Sequence, residues 1–308
     1  MPSVSQIISA SYTALANAKK TPANQWAESA FLAELERQGG IDRRSLSSII
    51  GLTLDYQRNP ATQIQATDLA PLSLSKTEVL TEAQYTPAEV VAPFTWSQKD
   101  EAQNPTVNQK VNLADALMTN AIDSHDDILE QDLFQANTNG FLGLPTHITT
   151  AGTGVDGGID STADIFWRNQ QATYTDDTDI EAASTTLWNA CAKGSGAKSV
   201  PTLAVSDGPT QALFEGTQQG LQRYEGQDAK AGFKTLMIKT ARWVFSPYGT
   251  TTVYFINCKN FRLVVSKEYF RDMSDTIPLA NATGWTRRVY SACQSVTDNR
   301  SRLGALHL

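Results

Sequence analysis

The sequence predicts an α+β fold, and three features of its hydrophobic pattern support that prediction. Residues 112–136 place apolar side chains at every third or fourth position, as one long amphipathic helix does. Residues 51–104 contain two extended runs separated by a polar span, and residues 176–265 alternate between short helix and strand patterns. Because helices and strands do not follow one another as regular βαβ units, a doubly wound parallel sheet is not expected.

The composition is that of a globular protein without a membrane-spanning segment. Of the 308 residues, 41% are hydrophobic and 19% are charged, which suits one large domain or two modest ones. No run of about 18 apolar residues occurs. The N-terminus lacks the basic and apolar regions of a signal peptide, so we expect the protein to mature in a cytoplasm. Cys191, Cys258 and Cys293 have no metal-binding spacing and are predicted to be buried free thiols.

The net charge of -7 is distributed unevenly along the chain. Residues 61–165 carry 3 basic and 15 acidic side chains, whereas residues 166–308 carry 16 basic and 12 acidic ones. This asymmetry favours lateral self-association, in which the middle of one copy meets the end of a neighbour; a solvated acidic face is the alternative. The sequence contains no block of basic residues that would predict sequence-specific binding of nucleic acid. Its negative net charge would repel the phosphates of enclosed DNA.

The first hundred residues are predicted to form an arm followed by a projecting hairpin. Residues 1–50 carry two apolar stripes too short to be stable helices alone, so each needs a surface on the same subunit or on another one. Strands are expected at residues 52–56 and 90–97, where Pro93 indicates an edge position or a bulge. Residues 61–85 between them have little core potential. Because an isolated hairpin is marginal in water, we expect this one to rest on a neighbour.

The rest of the chain is predicted to fold around the long helix. Asn112 is its expected N-cap and Asn139-Gly140 its expected stop, and about 25 residues would span roughly 37 Å. The glycines between positions 152 and 158 are interpreted as a flexible turn, because the Gly-Lys-Ser/Thr of a phosphate loop does not follow them. The further elements are predicted as helices at residues 179–193 and 207–224 and as strands at residues 202–206, 235–239, 242–246, 251–257 and 261–265.

The order of these segments resembles that of the major capsid proteins of tailed double-stranded DNA phages, which share the HK97-like fold. The resemblance is carried by the turn Gly157-Gly158-Ile159-Asp160, followed by Trp167-Arg168-Asn169, after an arm, a long hairpin and a long helix. Residues 252–263 are similar to the aromatic-Leu-Asn strand of that family, with Ile256 where leucine is common. The end, Arg302-Leu303-Gly304-Ala305-Leu306, is similar to its short basic-x-Gly-x-Leu finish. The resemblance covers nearly the whole chain.

The resemblance implies a structural protein rather than an enzyme, with no cofactor and no metal. It implies self-assembly into hexamers and pentamers of an icosahedral phage head that encloses double-stranded DNA. The protein would be assembled in the host bacterial cytoplasm and reside in the virion capsid, with portal, scaffolding or decoration proteins as further partners. The implied segments are an N-arm at residues 1–50, an E-loop at 51–104, the first part of the P-domain at 105–175 with its spine helix at 112–136, an A-domain at 176–251, and the P-domain return strands and C-terminus at 252–308.

Within this scheme, charged and aromatic residues of the E-loop and the C-terminal part are the candidate contacts between subunits. The candidates are Arg58, Lys76, Glu78, Glu82, Trp96, Trp167, Arg287 and Arg288.

Three other readings of the sequence remain open. An encapsulin-type compartment has the same fold, although its usual N-terminal helix signature is not evident here. A metal-dependent cytosolic hydrolase would use Asp123, Asp127 and Glu130, which share one face of the long helix; a solvated acidic stripe is the simpler account. An extracellular adhesin is disfavoured by the missing signal peptide. None of the three histidines lies in a motif typical of a Ser-His-acid triad.

Overall fold

The computed structural model describes residues 29–57, 78–104, 106–193, 200–218 and 236–308, together with Val4, Gln6, Ile7, Thr62 and Ile64. Most of the predicted arm and the outer part of the predicted hairpin lie outside the described residues, as do the interface candidates Arg58 and Lys76.

The described residues form helices and strands in a mixture that confirms the predicted α+β class. The helices are α1 (Ala30–Arg37), α2 (Gln98–Gln103), α3 (Val107–Leu133), α4 (Leu144–His147), α5 (Ile180–Cys191) and α6 (Gly208–Gln218). The strands are β1 (Ile41–Arg44), β2 (Ile50–Asp55), β3 (Leu80–Tyr85), β4 (Ala88–Ser97), β5 (Asn137–Thr138), β6 (Phe141–Leu142), β7 (Val155–Asp156), β8 (Ile159–Asp160), β9 (Gln170–Thr173), β10 (Leu203–Ser206), β11 (Leu236–Ile238), β12 (Ala241–Phe245), β13 (Val253–Ile256), β14 (Phe261–Ser266), β15 (Asp272–Met273), β16 (Ile277–Pro278), β17 (Gly284–Thr297) and β18 (Gly304–His307). Short 3-10 turns occur at Ile165–Trp167 and Arg300–Arg302. None of the helices in this part of the chain is both long enough and apolar enough to cross a membrane.

The long strand β17 is the centre of the first sheet. Strand β4 pairs antiparallel along one side of it, while β14, β15 and β16 share the other side, and β1 pairs parallel with β14. Helix α3 packs across β4 and β17. Among the described strands β4 pairs only with β17, which confirms the edge position predicted from Pro93.

The second sheet has six strands in the order β11-β12-β10-β13-β18-β9. Helices α5 and α6 cover one face, where Leu187, Phe214 and Trp243 belong to one apolar cluster. The opposite face, through Val205 and Tyr254 among others, shares a second apolar core with α1, the end of α3 and β14. The two sheets are therefore joined by a continuous core and not by a flexible linker.

A separate two-stranded hairpin is formed by β2 and β3. Its inner face is apolar and lies on the subunit, whereas its outer face is exposed, as the alternating burial of β2 shows. The residues that form this smaller core are Ile50, Leu52, Leu54, Ala83, Tyr85, Ile159, Trp167, Val264 and Val296.

The long helix was predicted at 112–136, but it runs from Val107 to Leu133 over 27 residues, or about 40 Å. It begins earlier because Thr106 and Gln109 form a capping box that Asn112 does not. It ends at Leu133, and the predicted stop, Asn139-Gly140, instead forms the tight turn between β5 and β6, with both residues at positive φ.

The prediction that strands 52–56 and 90–97 pair with each other is wrong. Strand β2 pairs instead with β3, within the segment predicted to have little core potential, because Ala83 and Tyr85 alternate with polar residues and fill the small core. Strand β4 belongs to the first sheet.

The segment 176–251, implied to be one domain, covers only part of the second sheet. Strand β9 precedes those limits, and β13 and β18 follow them, because the chain enters the sheet before residue 176 and returns to it twice after residue 251.

Candidate assembly interface

The turn Gly157-Gly158 fixes where the β2–β3 hairpin leaves the subunit. It connects β7 and β8 with both glycines at positive φ, +59° and +81°, the conformation that a two-residue hairpin turn requires. The Gly157 carbonyl oxygen accepts a hydrogen bond of 2.9 Å from the Gln84 backbone N–H of β3. A Cβ atom at Gly157 would lie 2.8 Å from the Cβ of Ala83, so only glycine permits this close approach.

Beneath the hairpin, His147 forms a buried polar network with Asp156 and Ser295. Its Nδ1 lies 2.9 Å from Asp156 Oδ2 and its Nε2 lies 2.8 Å from Ser295 Oγ, an arrangement that looks like a Ser-His-Asp triad. His147 and Ser295 are fully buried, and Asp156 is 2% exposed. The Ser295 hydroxyl also donates to the Leu142 carbonyl. Because no substrate can reach these atoms, the network is structural.

Arg300 joins the sequence motifs that lie far apart along the chain. Its buried guanidinium donates to the His147 carbonyl at 2.7 Å, to the Gly154 carbonyl at 3.2 Å and to Asn169 Oδ1 at 3.2 Å. Burial lowers the pKa of Arg300, and the charge of Asp156 opposes that shift. The glycine turn, the Trp-Arg-Asn segment and the C-terminal region are thus held together by one side chain.

Tyr85 connects the hairpin to this network. Its hydroxyl donates to the Thr297 carbonyl at 3.1 Å, and its ring lies 5.8 Å from the ring of His147. Burial, and after it the charge of Asp156, raises the pKa of Tyr85 well above its ordinary value, so the phenol remains protonated. The base of the hairpin is therefore fixed to its own subunit.

The two tryptophans predicted to anchor subunit interfaces lie in the core of their own subunit. Trp96 is 3% exposed and pairs across the strands with Trp285, at 6.2 Å between ring centroids. Trp167 is 1% exposed, and its indole N–H donates to the Asp156 carbonyl at 3.0 Å. Neither side chain has surface left for a neighbour in this conformation. The sequence could not indicate this, because an isolated tryptophan does not distinguish a core position from an interface position.

The four charged candidates that lie within the described residues divide into one buried residue and three exposed ones. Arg287 is 7% exposed, and its Nε donates to Thr276 Oγ1 at 2.7 Å, so it holds a loop of its own subunit. Burial lowers the pKa of Arg287. Glu78, Glu82 and Arg288 are exposed and remain available to a neighbouring subunit.

Two of the three candidate carboxylates on α3 contact the loop that follows β12, and the three do not converge on a metal site. Glu130 is buried and accepts a hydrogen bond of 2.6 Å from the Ser246 hydroxyl, while Asp127 accepts one from the Tyr248 hydroxyl. The latter bond raises the pKa of Tyr248. Asp123 is exposed on the same helix. Within the described ranges no group of three potential metal ligands comes together, so the geometry does not support the hydrolase alternative.

The three cysteines are free and buried, as predicted. Burial raises the pKa of Cys191 and of Cys293 to about 12 and that of Cys258 to about 11. These thiols stay protonated at neutral pH and act as apolar core groups.

The start of the predicted arm rests on its own subunit. Val4 is fully buried and Ile7 is 8% exposed, in an apolar cluster that includes Phe94 of β4 and Met118 of α3. The Val4 backbone N–H donates to Glu101 Oε1 at 3.2 Å.

Two joined sheets, a long helix lying across the first one and a hairpin seated on a glycine turn together constitute the HK97-like capsid fold. A capsid subunit of cyanophage A-1(L) superposes with a TM-score of 0.60 at 13% identity, over 89% of this chain and 92% of that one. The capsid protein of a native GTA particle gives a TM-score of 0.62 at 11% identity, over 88% of both chains. The encapsulin SrpI of Synechococcus elongatus PCC 7942 gives 0.53 at 10% identity, over 88% of this chain and 86% of that one.

No protein-family profile and no curated protein sequence matches the chain. At these identities the structural likeness establishes the fold, and the function is inferred from the fold together with the surfaces described above.

Proposed function

We propose that this chain is the shell subunit of a phage head, whose copies form hexamers and pentamers around double-stranded DNA. The observation that carries the proposal is the likeness to capsid subunits over about nine-tenths of both chains, including the cyanophage A-1(L) capsid. The virion is the expected location, with assembly in the host cytoplasm and with portal, scaffolding or decoration proteins as further partners.

Each part of the described fold has a role under this proposal. The β2–β3 hairpin with the segment between its strands acts as the E-loop, and the first sheet with α3 acts as the P-domain. The second sheet with α5 and α6 acts as the A-domain and faces the centre of each hexamer or pentamer. The segment before α1 acts as the N-arm.

The assembly relies on many contacts that are each of moderate strength. When one subunit is held at several places, a second contact forms at high effective concentration after the first, so the closed shell is durable. Single contacts remain weak enough for a misplaced subunit to leave. With a net charge of -7, the subunit would enclose DNA without gripping its phosphates.

A cellular compartment is the second candidate function, and the likeness to the SrpI encapsulin favours it. Both candidates predict a closed protein shell, but they differ in what the shell contains. Particles from the natural source that hold nuclease-resistant double-stranded DNA would support the phage head. Particles that hold a protein cargo and no DNA would support the compartment.

Electron microscopy of the purified chain tests the shared part of both candidates. We expect closed, uniform particles tens of nanometres across when the chain is produced with its assembly partners or by itself. A population consisting only of monomers and small oligomers under all of these conditions would contradict both candidates.

A further inference from the structure

The hydroxyl of Ser295 determines where one hydrogen of the buried His147 ring lies. The Ser295 oxygen is 2.8 Å from His147 Nε2, and it is also in close contact with the Leu142 carbonyl oxygen. Two oxygen atoms in such contact need a hydrogen between them, and a carbonyl can only accept, so the single hydroxyl hydrogen points to Leu142. The Ser295 oxygen therefore turns a lone pair toward Nε2, and that nitrogen has to carry a hydrogen of its own.

The other ring nitrogen of His147 faces a carboxylate. Its Nδ1 lies 2.9 Å from Asp156 Oδ2, and an ionised carboxylate is only an acceptor, so Nδ1 carries a hydrogen as well. Arg300 Nε lies 3.7 Å from the same carboxylate oxygen. With a hydrogen on both nitrogens, His147 is an imidazolium cation, and Asp156 stands between two positive groups.

The groups packed around the His147 ring are suited to holding this charge away from water. Asp156 on β7 supplies the negative charge. The rings of Tyr85 on β3 and Phe261 on β14 have centroids 5.8 Å and 5.6 Å from that of the imidazole, close enough to attract a cation. Tyr85 remains a neutral phenol because its pKa is raised. Arg300, in the turn after β17, is the second cation and donates to the His147 carbonyl oxygen.

The same groups hold the β2–β3 hairpin on the subunit. The Tyr85 hydroxyl donates to the Thr297 carbonyl, two residues beyond Ser295 on β17. Next to Asp156, the Gly157 carbonyl accepts the hydrogen bond from the Gln84 backbone N–H. A change in the hydrogen bonds of the His147 ring therefore acts directly on the surface where the hairpin is seated.

We propose that His147 holds a structural proton on Nε2 and that loss of this proton at alkaline pH releases the hairpin from its seat. A neutral ring would bring the lone pairs of Nε2 and of the Ser295 oxygen against each other, or would draw the hydroxyl hydrogen away from the Leu142 carbonyl. Either arrangement costs a buried polar group one hydrogen bond. Because the seated hairpin then holds one more proton than the open one, a rise in pH favours the open state. The proton belongs to the single subunit, so the proposal does not depend on shell formation.

NMR of the unassembled subunit labelled with 15N-histidine tests the proton directly, since the chain has three histidines. At pH 7.5 the two ring nitrogens of His147 should have similar chemical shifts, because both carry a hydrogen. Two widely separated shifts, as a neutral ring gives, would overturn the proposal. The signals that disappear in His147→Gln assign the ring. His307, which forms no salt bridge in the described part of the chain, gives the reference for a neutral ring at pH 9.

Removing the carboxylate gives a matched pair of variants. Asp156→Asn keeps the shape of the side chain without its charge, and it should convert His147 to a neutral ring with separated shifts at pH 7.5. Asp160→Asn changes an exposed carboxylate on the neighbouring strand β8 and should leave the His147 signals unchanged. The same His147 shifts in Asp156→Asn as in the wild type would contradict the proposal. If Asp156→Asn does not fold, the wild-type spectrum alone decides.

Hydrogen exchange measures the release of the hairpin. The Gln84 N–H bonds the Gly157 carbonyl across the seat, so it reports the seated state, and the amides of β10 in the second sheet are the control. After correction for the intrinsic rate, the protection of the Gln84 amide should fall between pH 7 and pH 9 by up to about tenfold per pH unit. The β10 amides should keep theirs. Protection of Gln84 that is the same at both pH values would overturn the proposal.

Discussion

Arg300 is one buried side chain that connects several sequence motifs, each of which is a weak structural signal when taken alone. Its guanidinium contacts the backbone at His147 and Gly154 and the side chain of Asn169. His147 and Arg300 are separated by 153 positions in the chain. No local pattern in the sequence could have predicted that contact, and the sequence interpretation correctly expected a glycine turn but not the network beneath it.

Glu34 is one of the residues that attach α1 to the second sheet. It is 6% exposed and accepts hydrogen bonds from Arg37 Nε at 2.8 Å, Gln38 Nε2 at 2.6 Å and Arg242 Nη1 at 3.1 Å. Burial by itself raises the pKa of the Glu34 carboxyl, but the hydrogen bonds from Arg37 and Gln38 and the charge of Arg242 hold that pKa below its ordinary value.

Replacing Glu34 by glutamine should lower the free energy of unfolding of the isolated subunit by about 1 to 2 kcal/mol at pH 7. The loss is limited to this range because two of the hydrogen-bond partners of Glu34 are partly exposed to water. Because the folded-state pKa is depressed, this stabilisation is present above the unfolded value of about 4.3 and is lost as the pH falls through the folded value. Urea unfolding at pH 7 and near pH 3 measures both effects. The control is Glu36→Gln, which removes only the surface pair with Arg43. Equal destabilisation by Glu34→Gln at both pH values would contradict the assignment.

At the scale of elements, the regular apolar patterns predicted structure well and the polar ones did not. Strands β10, β12, β13 and β14 and helix α5 lie within a residue or two of their predicted limits, because buried strands and amphipathic helices have distinct spacings. Strand β17 was not predicted, although it is central to the first sheet. Its buried side chains include Ser291, Gln294 and Ser295, which form hydrogen bonds to segments distant in the sequence.

The predicted hairpin illustrates the same limit. Sequence spacing indicated a projecting pair of strands, but it assigned the wrong return strand, because Ala83 and Tyr85 carry too weak an apolar signal in a polar context. Ala83 and Tyr85 belong to one apolar cluster with Ile159 and Trp167, beside the glycine turn, and this packing determines which strand pairs with β2. That surface comes from residues more than seventy positions away in the sequence.

The two glycines of this turn allow a matched test of the hairpin seat. Both have positive φ, so replacement by alanine should cost about 1 kcal/mol in backbone strain at either position. At Gly157 the new methyl group would also meet Ala83 and Tyr85, which should add about 1 to 3 kcal/mol. At Gly158 no atom lies within 4 Å of the added carbon. Urea unfolding of Gly157→Ala and Gly158→Ala compares the two, and equal losses would show that the turn does not set the position of β3.

At the scale of the whole molecule, the interior of the subunit and its projecting segments have separate roles. Core clusters join the two sheets, and Val4 and the inner face of the hairpin, through Leu52, pack on the same subunit. The outer face of the hairpin is polar, acidic and without an internal partner among the described residues. A protein that folds on its own core and leaves such a surface unpaired is suited to repeated contact with its own copies.

A loop replacement separates folding from assembly. The Tyr56 backbone N–H donates to the Val79 carbonyl at 3.1 Å, so the strands still face each other where the described hairpin ends. Joining Gln57 to Glu78 through Asn-Gly in place of residues 58–77 would therefore close a tight two-residue turn and keep β2 and β3 paired. Circular dichroism and urea unfolding should show a subunit as stable as the wild type.

Electron microscopy and sedimentation of this shortened chain beside the wild type test the central claim most directly, namely that the projecting segment holds neighbouring subunits. We expect the wild type to form closed shells and the shortened chain to remain as folded monomers or small oligomers. Closed shells of normal size from the shortened chain would contradict the account.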